Sequence, residues 1–303
     1  MSIQLKKRQH YVWQHYLKAW QKEDSIQCLN KTTIFPTSSK NIAVEKNIYV
    51  PNDVTVEEIK FLSELFLPNS ENTDFSTRKS LNDNWNTIFN FLVAAEKTIK
   101  KNSEVPKEIQ NRLRNIYEDI QSNIEHLGQS SLNKLKNSHD KLNDQDIVDF
   151  VNFITYQFLR TKKSRELISS TNNNYNQYNL EKLWPLLIHY MATQLSFGII
   201  QNWGNYCLVS FINNTERSLI TGDQPIVLTS SPSIKNESPD DFILYYPISP
   251  KKAINLTTNK FQSKIIELTS SDISMYNQLI FCNKLHQVYS NDSYELELVR
   301  ENT

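Results

Sequence analysis

The sequence predicts an α+β protein: an N-terminal helix and β-hairpin, a central helical bundle, and a C-terminal antiparallel sheet with a closing helix. Three observations predict it. Apolar side chains recur at helical spacing from about residue 53 to 200. Short apolar segments bounded by turn residues flank that stretch on both sides. Only four glycines accompany ten prolines, which leaves few positions for close backbone approach to a phosphate and weighs against dinucleotide-binding and P-loop folds. The 303 residues suffice for a sizeable core. We read one domain over 1–303, with a hairpin region (1–52), a helical region (53–200) and a β-sheet region (205–290) packed together.

Residues 11–20 carry apolar side chains at helical spacing and are expected to form the first helix. Segments 26–29 and 33–35 then read as a hairpin turned at Asn30 and Lys31, and 48–50, stopped by Pro51, as a further short strand. Thr55 followed by Glu58 is a capping signal that opens a helix through Leu62, Leu65 and Phe66. Leu81, Trp85, Ile88, Phe89 and Leu92 make one helical stripe, and Ile109, Leu113, Ile116 and Ile120 a second, read as bundle faces rather than a coiled coil. Residues 146–167 read as the central helix, 169–179 as an asparagine-rich loop, and 180–195 as helix again. Beyond Tyr206, segments 207–211, 218–221, 226–228 and 242–246 read as strands of one antiparallel sheet, with a turn at Asn213 and Asn214 and a longer polar loop at 230–241. A closing helix at 271–286 and a strand at 287–290 follow.

Lysine plus arginine and aspartate plus glutamate balance at 33 each, so no global field draws the chain to nucleic acid or a membrane surface, and any such partner must be met by a local patch. The N-terminus lacks the apolar core and cleavage site of an export signal, and no hydrophobic run approaches the roughly 20 residues that span a bilayer, so no membrane is expected. Three distant cysteines fit a reducing compartment, and the cytoplasm is the expected location. The five tryptophans read as core or interface aromatics. Phosphate loops, the nucleophile elbow, His-Glu-x-x-His and Cys-x-x-Cys are absent, and His10 and His15, about 140° apart on a helix, are poorly placed to share a metal.

Several short motifs follow one another in order. His10-Tyr11-Val12-Trp13 with Tyr16-Leu17 and Trp20 opens the series; Ala43, Glu45 and Tyr49 come next; then Gln157, Arg160, Thr161 and Arg165; then Gly222-Asp223-Gln224-Pro225; then Tyr246-Pro247-Ile248-Ser249-Pro250; and finally Asn277 with Val288-Tyr289-Ser290. Together, over about residues 8–290, they resemble domain of unknown function 4238, an uncharacterised bacterial family. Trp13 departs from that pattern, where proline is usual, and Gly222 stands in place of serine. The resemblance implies bacterial accessory proteins in mobile or phage-defence gene neighbourhoods, and it names no reaction.

The motif residues are chemically capable. Asp223 closes a strand beside Pro225, where its carboxylate either caps the turn or serves a function. Gln157 and Arg160 share a helical face and Arg165 lies about 140° from Arg160; such arginines mark either an ion pair, with Asp223 or Glu45 as partner, or an anion pocket. The basic run Lys6-Lys7-Arg8 beside His10 either anchors a phosphate backbone or is simply solvated. If the set converges, Asp223, His10 and Glu45 would be catalytic and Arg160, Gln157 and Arg165 would bind the anion, which suits phosphodiester cleavage of nucleic acid or nucleotides, with a divalent metal as an admissible cofactor. The alternative is a non-catalytic sensor or interaction component whose polar motifs are structural and whose helical faces bind a partner protein encoded nearby.

Overall fold

The computed structural model describes residues 4–51, 53–67, 74–101, 105–137, 142–170, 177–229, 243–258 and 264–301. In chain order these form β1 (Arg8–His10), α1 (Gln14–Leu17) with a 3-10 turn at Lys18–Trp20, β2 (Ile26–Asn30), β3 (Thr33–Thr37) and β4 (Val44–Lys46). The helices α2 (Val56–Leu65), α3 (Phe75–Lys101), α4 (Lys107–Asn137), α5 (Asp144–Leu159), α6 (Lys162–Ser170) and α7 (Leu180–Gln201) follow. The chain then runs through β5 (Cys207–Ile212), β6 (Thr221–Gly222), β7 (Val227–Thr229), β8 (Ile243–Ser249), β9 (Lys252–Thr257), β10 (Ile265–Glu267), α8 (Ser270–Asn283), β11 (Gln287–Ser290) and α9 (Tyr294–Glu301). The α+β class holds, with strands first, helices in the middle and sheet with helices at the end.

Where the chain enters, it is not a helix. Residues 8–10 pair antiparallel with 44–46, and only 14–17 are α-helical, because Gln157 holds the backbone at both Tyr11 and Trp13 and keeps it extended. The second strand of that ladder is 44–46 rather than 48–50; Asn47, at φ 55°, turns the chain away. The hairpin forms, but its turn is Lys31-Thr32 rather than Asn30-Lys31, since Asn30 pairs with Thr33 and Lys31 takes φ 55°.

The C-terminal strands are not one antiparallel sheet. One sheet runs β10-β5-β9-β8-β7 and is mixed, because β10 lies parallel to β5; the other runs β3-β2-β11-β6. Thus the strands on either side of Asn213 and Asn214 belong to different sheets. Asn213 bonds Arg217 and Pro250 carbonyls there instead of closing a hairpin. The loop read at 230–241 lies outside the described residues, as does most of the one at 169–179.

Each sheet is apolar on both faces. From the five-stranded sheet, Leu244, Tyr246, Ile254 and Leu256 join the helices in the larger core, while Val209, Phe211, Tyr245 and Ala253 point the other way, into a smaller core shared with α8 and α9. Strand alternation makes this division. The short first helix ties both sheets together: Tyr16 Oη donates to the Pro247 carbonyl at 2.7 Å and meets Thr221 Oγ1 at 2.6 Å, and Trp20 Nε1 donates to the Leu219 carbonyl at 2.8 Å.

In the bundle, α5 lies between α4 and α7. Thr55 and Glu58 form the capping box expected, and Asn143 with Asp146 forms another. Of the expected stripe, Leu113 and Ile116 pack against the core from its edge while Ile109 is exposed, and the fully buried face of α4 is turned toward Tyr117, Gln121, Gly128, Ser131 and Leu132. α7 is long and apolar enough by length and composition to cross a membrane, at mean hydropathy 1.3, yet 67% of that window is buried within the protein, as befits a core helix.

Gly128 sets how closely α4 and α5 cross, since a Cβ there would lie 2.4 Å from Phe153 Cβ. Gly128→Ala is expected to lower stability by about 1 to 3 kcal/mol in urea unfolding, against the small gain alanine gives in an unconstrained helix; an unchanged midpoint would contradict this crossing.

Candidate functional site

The motif residues gather where α5 ends. The expected helix 146–167 is broken at Arg160 and Thr161: Arg160 is the C-cap that follows α5, and Thr161 Oγ1 accepts from the Ser164 amide at 3.3 Å to start the next helix. The break cancels the 140° relation between Arg160 and Arg165. It turns Arg160 inward and leaves Arg165 at the surface of α6.

Arg160 is 1% exposed. Its Nη2 donates to the His10 carbonyl at 2.7 Å and its Nε to Tyr49 Oη at 3.1 Å, while Tyr49 Oη donates back to the Arg160 carbonyl at 2.8 Å. The guanidinium lies over the Trp13 ring at 4.6 Å and the Tyr49 ring at 5.0 Å. It makes no ion pair among the described residues, so the carboxylate partner expected from Asp223 or Glu45 is replaced by a carbonyl, a hydroxyl and two aromatic faces. Gln157 completes the clamp: its Oε1 accepts from the Trp13 amide at 3.1 Å and its Nε2 donates to the Tyr11 carbonyl at 3.3 Å.

Asp223 is 2% exposed and holds three consecutive amides of the α8–β11 turn, Leu285 at 2.8 Å, His286 at 2.7 Å and Gln287 at 2.9 Å. It caps a turn, as one reading had it, but a distant turn rather than its own. Burial pushes its carboxyl up from the ordinary range and the three amides pull it back. Next to it, Gln224 accepts a short hydrogen bond from Thr161, which docks this strand end onto the helix break.

His10 Nε2 donates to the Ser39 carbonyl at 3.1 Å, and burial together with Arg160 and Arg8 lowers its pKa. His10 and Asp223 share no hydrogen bond among the described residues. In the β1–β4 register Glu45 lies opposite Gln9, so Glu45 and His10 point to opposite faces of the ladder. Glu45 forms an ion pair with Lys162 and a looser one, at 3.8 Å, with Arg165, which also reaches Glu181 at 3.0 Å. These groups border a surface cleft of about 430 Å³ that holds three carboxylates, Glu45, Glu166 and Glu181, and two cations. Lys6 bonds Asp119 at 2.6 Å and Arg8 the Lys40 carbonyl at 3.0 Å, so two of the three basic side chains of the run are bonded to the protein. Among the described residues no three His, Cys, Asp or Glu side chains gather in a way that could hold a metal ion.

Sequence reading missed the inward polar face of α4. Glu118, Gln121 and Glu125, at offsets of three and four, face the segment around Trp13: Glu125 Oε1 accepts from the His15 amide at 3.2 Å. Arg160 Nη1, Glu118 Oε2, Trp13 Nε1 and both amide atoms of Gln121 are buried with no hydrogen-bond partner. Burial raises the Glu118 carboxyl to about 7 against the opposing pull of Arg160. The signal was available, in that three polar residues recur at helical spacing on the side opposite the isoleucines.

Two predictions follow from these contacts. Asp223→Ala orphans three amides and is expected to cost about 2 to 4 kcal/mol in urea unfolding; Asp223→Asn also destabilises, because its NH2 group meets an N–H. A loss under about 0.5 kcal/mol would refute the fastening role. For Glu118, a carboxyl raised when folded means the folded protein keeps a proton that the unfolded chain has released. Its stabilising contribution is therefore present below pH 4.5, the ordinary value, and is lost as pH rises to about 7. Compared with Glu118→Gln, the parent protein should lose about 1 to 3 kcal/mol between those limits, and a parallel pair of pH profiles would sink the assignment.

Neither the curated proteins nor the solved structures include a match. A family model covers residues 8–294, nearly the whole chain, and the protein belongs to that family, described as Protein of unknown function (DUF4238).

Proposed function

We propose that this chain is a non-catalytic binding protein, a sensor or interaction component whose polar motifs fasten its layers together. The observation that carries the proposal is Asp223, whose two carboxylate oxygens already accept three backbone amides. A general base or metal ligand needs a lone pair directed at the reacting group. Cleavage of a phosphodiester through Asp223, His10 and Glu45, with Arg160, Gln157 and Arg165 binding the anion, would require most of these side chains to give up the partners described above. Acid-rich surroundings at Arg165 and a guanidinium enclosed by aromatic rings at Arg160 likewise support the binding reading over a phosphate clamp. The cytoplasm is the proposed location, supported by three thiols free of disulfides.

The test is hydrolysis by the purified full chain, with magnesium or manganese, of single- and double-stranded DNA, RNA and cyclic dinucleotides. The expected result is no turnover above a no-protein control. Turnover that disappears in both Asp223→Asn and Glu45→Gln, assayed at a temperature where each variant is folded, would overturn the proposal in favour of the phosphodiesterase.

A further inference from the structure

Ten large apolar side chains are exposed among the described residues, and four of them, Ile88, Phe91, Ile109 and Leu127, belong to α3 and α4. Only residues 102–106 connect these two helices, and Phe89 of α3 stacks on Tyr117 of α4 at 6.3 Å, so they are antiparallel neighbours. The side of α3 that meets α4 is marked by Leu92 and Ile99, which share a small cavity with Leu113 and Tyr117; the side that meets α2 is marked by Asn86, bonded to Ser63. At 100° per residue, Ile88, Phe91 and Ala95 lie about 70 to 130° round from the inward Phe89 and Leu92, on the α4 side. Leu113, Ile120 and Leu127 lie similarly round from Gln121 and Gly128, on the α3 side. The two flanks join into one outward surface.

Charge is missing from this surface among the described residues. Between 81 and 98 and between 109 and 127, Glu96 and Arg114 line the cavity beneath it, Glu118 and Glu125 face the Trp13 segment, and Asp83, Lys97, Arg112, Asp119 and His126 lie beyond its edges. Three of the edge charges are already paired within the chain: Asp83 with Lys79 at 2.8 Å, Arg112 with Glu108 at 3.4 Å and Asp119 with Lys6 at 2.6 Å. The centre of the surface, Ile88 and Phe91 beside Ile120, lies at least 11 residues along its helix, about 16 Å, from the segments 68–73, 102–104 and 138–141 that fall outside the described residues. Segment 171–176 enters α7 beside α2, at the Phe61–Tyr178 stack, and 230–242 and 259–263 leave the five-stranded sheet, which lies on the opposite flank of α4, where the field of Glu125 reaches Tyr246.

We infer that this surface is the interface of a homodimer. With a two-fold axis along the helices, α3 of each copy lies on α4 of the other, and every helix has antiparallel neighbours, as in a four-helix bundle. An uncharged surface offers a different protein no sign to recognise, whereas two identical surfaces with internally paired edges meet without like-charge repulsion. The area is also sufficient. About 25 Å of helix by the width of two helices, about 20 Å, buries on the order of 1,000 Å² over both copies, the lower end of specific interfaces. An apolar centre inside a charged rim is the ordinary anatomy of such a contact. The inference goes beyond the binding-protein reading and does not depend on it.

Sedimentation velocity of the full chain over about 1 to 100 µM is the test. The expected result is a species of twice the 35.5 kDa chain mass at the top of that range, giving way to monomer on dilution. Phe91→Lys, at a side chain 64% exposed and so tolerated by the fold, is expected to weaken the dimer at least about tenfold, because pairing would bury an ammonium with no partner. Asn84→Lys, at an exposed polar position on the same flank, should act the same way. Leu167→Lys, on α6 and also 64% exposed, should leave the dimer unchanged, and all three variants should keep the parent's far-ultraviolet circular dichroism. A parent that stays monomeric at about 100 µM would overturn the inference and leave the surface to a different protein. A dimer that survives both Phe91→Lys and Asn84→Lys, or that Leu167→Lys dissolves equally, would overturn its placement. Turnover in the hydrolysis assay would leave the dimer standing, and a monomer would leave the binding-protein reading standing.

Discussion

A guanidinium keeps its charge in any protein environment, so a chain that buries Arg160 to 1% exposure must assemble its surroundings around that charge. The partners come from segments far apart in sequence: the His10 carbonyl from β1, Tyr49 from the turn after β4, and Trp13 from the entry to α1. Glu118 and Glu125 of α4 add their field from beyond contact distance. Leaving any one segment out would expose a charge that cannot titrate away. The position of the N-terminal strands on the bundle therefore follows from this one side chain, and the break after α5 is what lets it turn inward while its own carbonyl accepts from Tyr49.

Element types were legible where periodicity decided them. The Thr55–Glu58 box and the strand at 287–290 came out as read, because a capping box and an alternating run ending in turn residues are local signals. The helix break at Arg160 and Thr161 was not legible: it contains neither glycine nor proline and is enforced by Tyr49 and Gln224, more than 60 residues away on either side. The start of the chain was misread because tyrosine, valine and tryptophan side chains suit a strand as well as a helix, and Gln157 selects the extended form. For β10 the obstacle was topology, since a three-residue strand joined in parallel has no turn to announce it.

The candidate site was legible as a set of residues and not as an arrangement. Asp223 was correctly placed at a strand end beside a sharp turn, but the amides it holds lie 62 to 64 residues later, beyond the reach of any local pattern. The motif side chains mostly bond backbone atoms: Gln157 to residues 11 and 13, Arg160 to residue 10, Asp223 to 285–287, and Asn277 to the Ser218 carbonyl and the Ile220 amide. A backbone partner is present whatever side chain it carries, so such a fastener makes a specific demand on one residue only. That accounts for polar motifs that stand alone, without the adjacent acids, bases and glycines that chemistry on a phosphate needs.

The layer arithmetic explains why an opening exists beside α8. Five strands at about 4.8 Å spacing make a sheet roughly 19 Å across, while a helix with its side chains is about 10 to 12 Å wide. On the bundle face the sheet meets Tyr16, Trp20 and the long helices, and the larger core closes over it. On the other face α8 is the helix that lies over these strands among the described residues, and α9 packs instead against α8 and β11 of the second sheet. One helix is too narrow to cover the width. Among the described residues, the cleft that is left lies between these strands and α8 and is lined by Phe211, Tyr245, Tyr276 and Leu279.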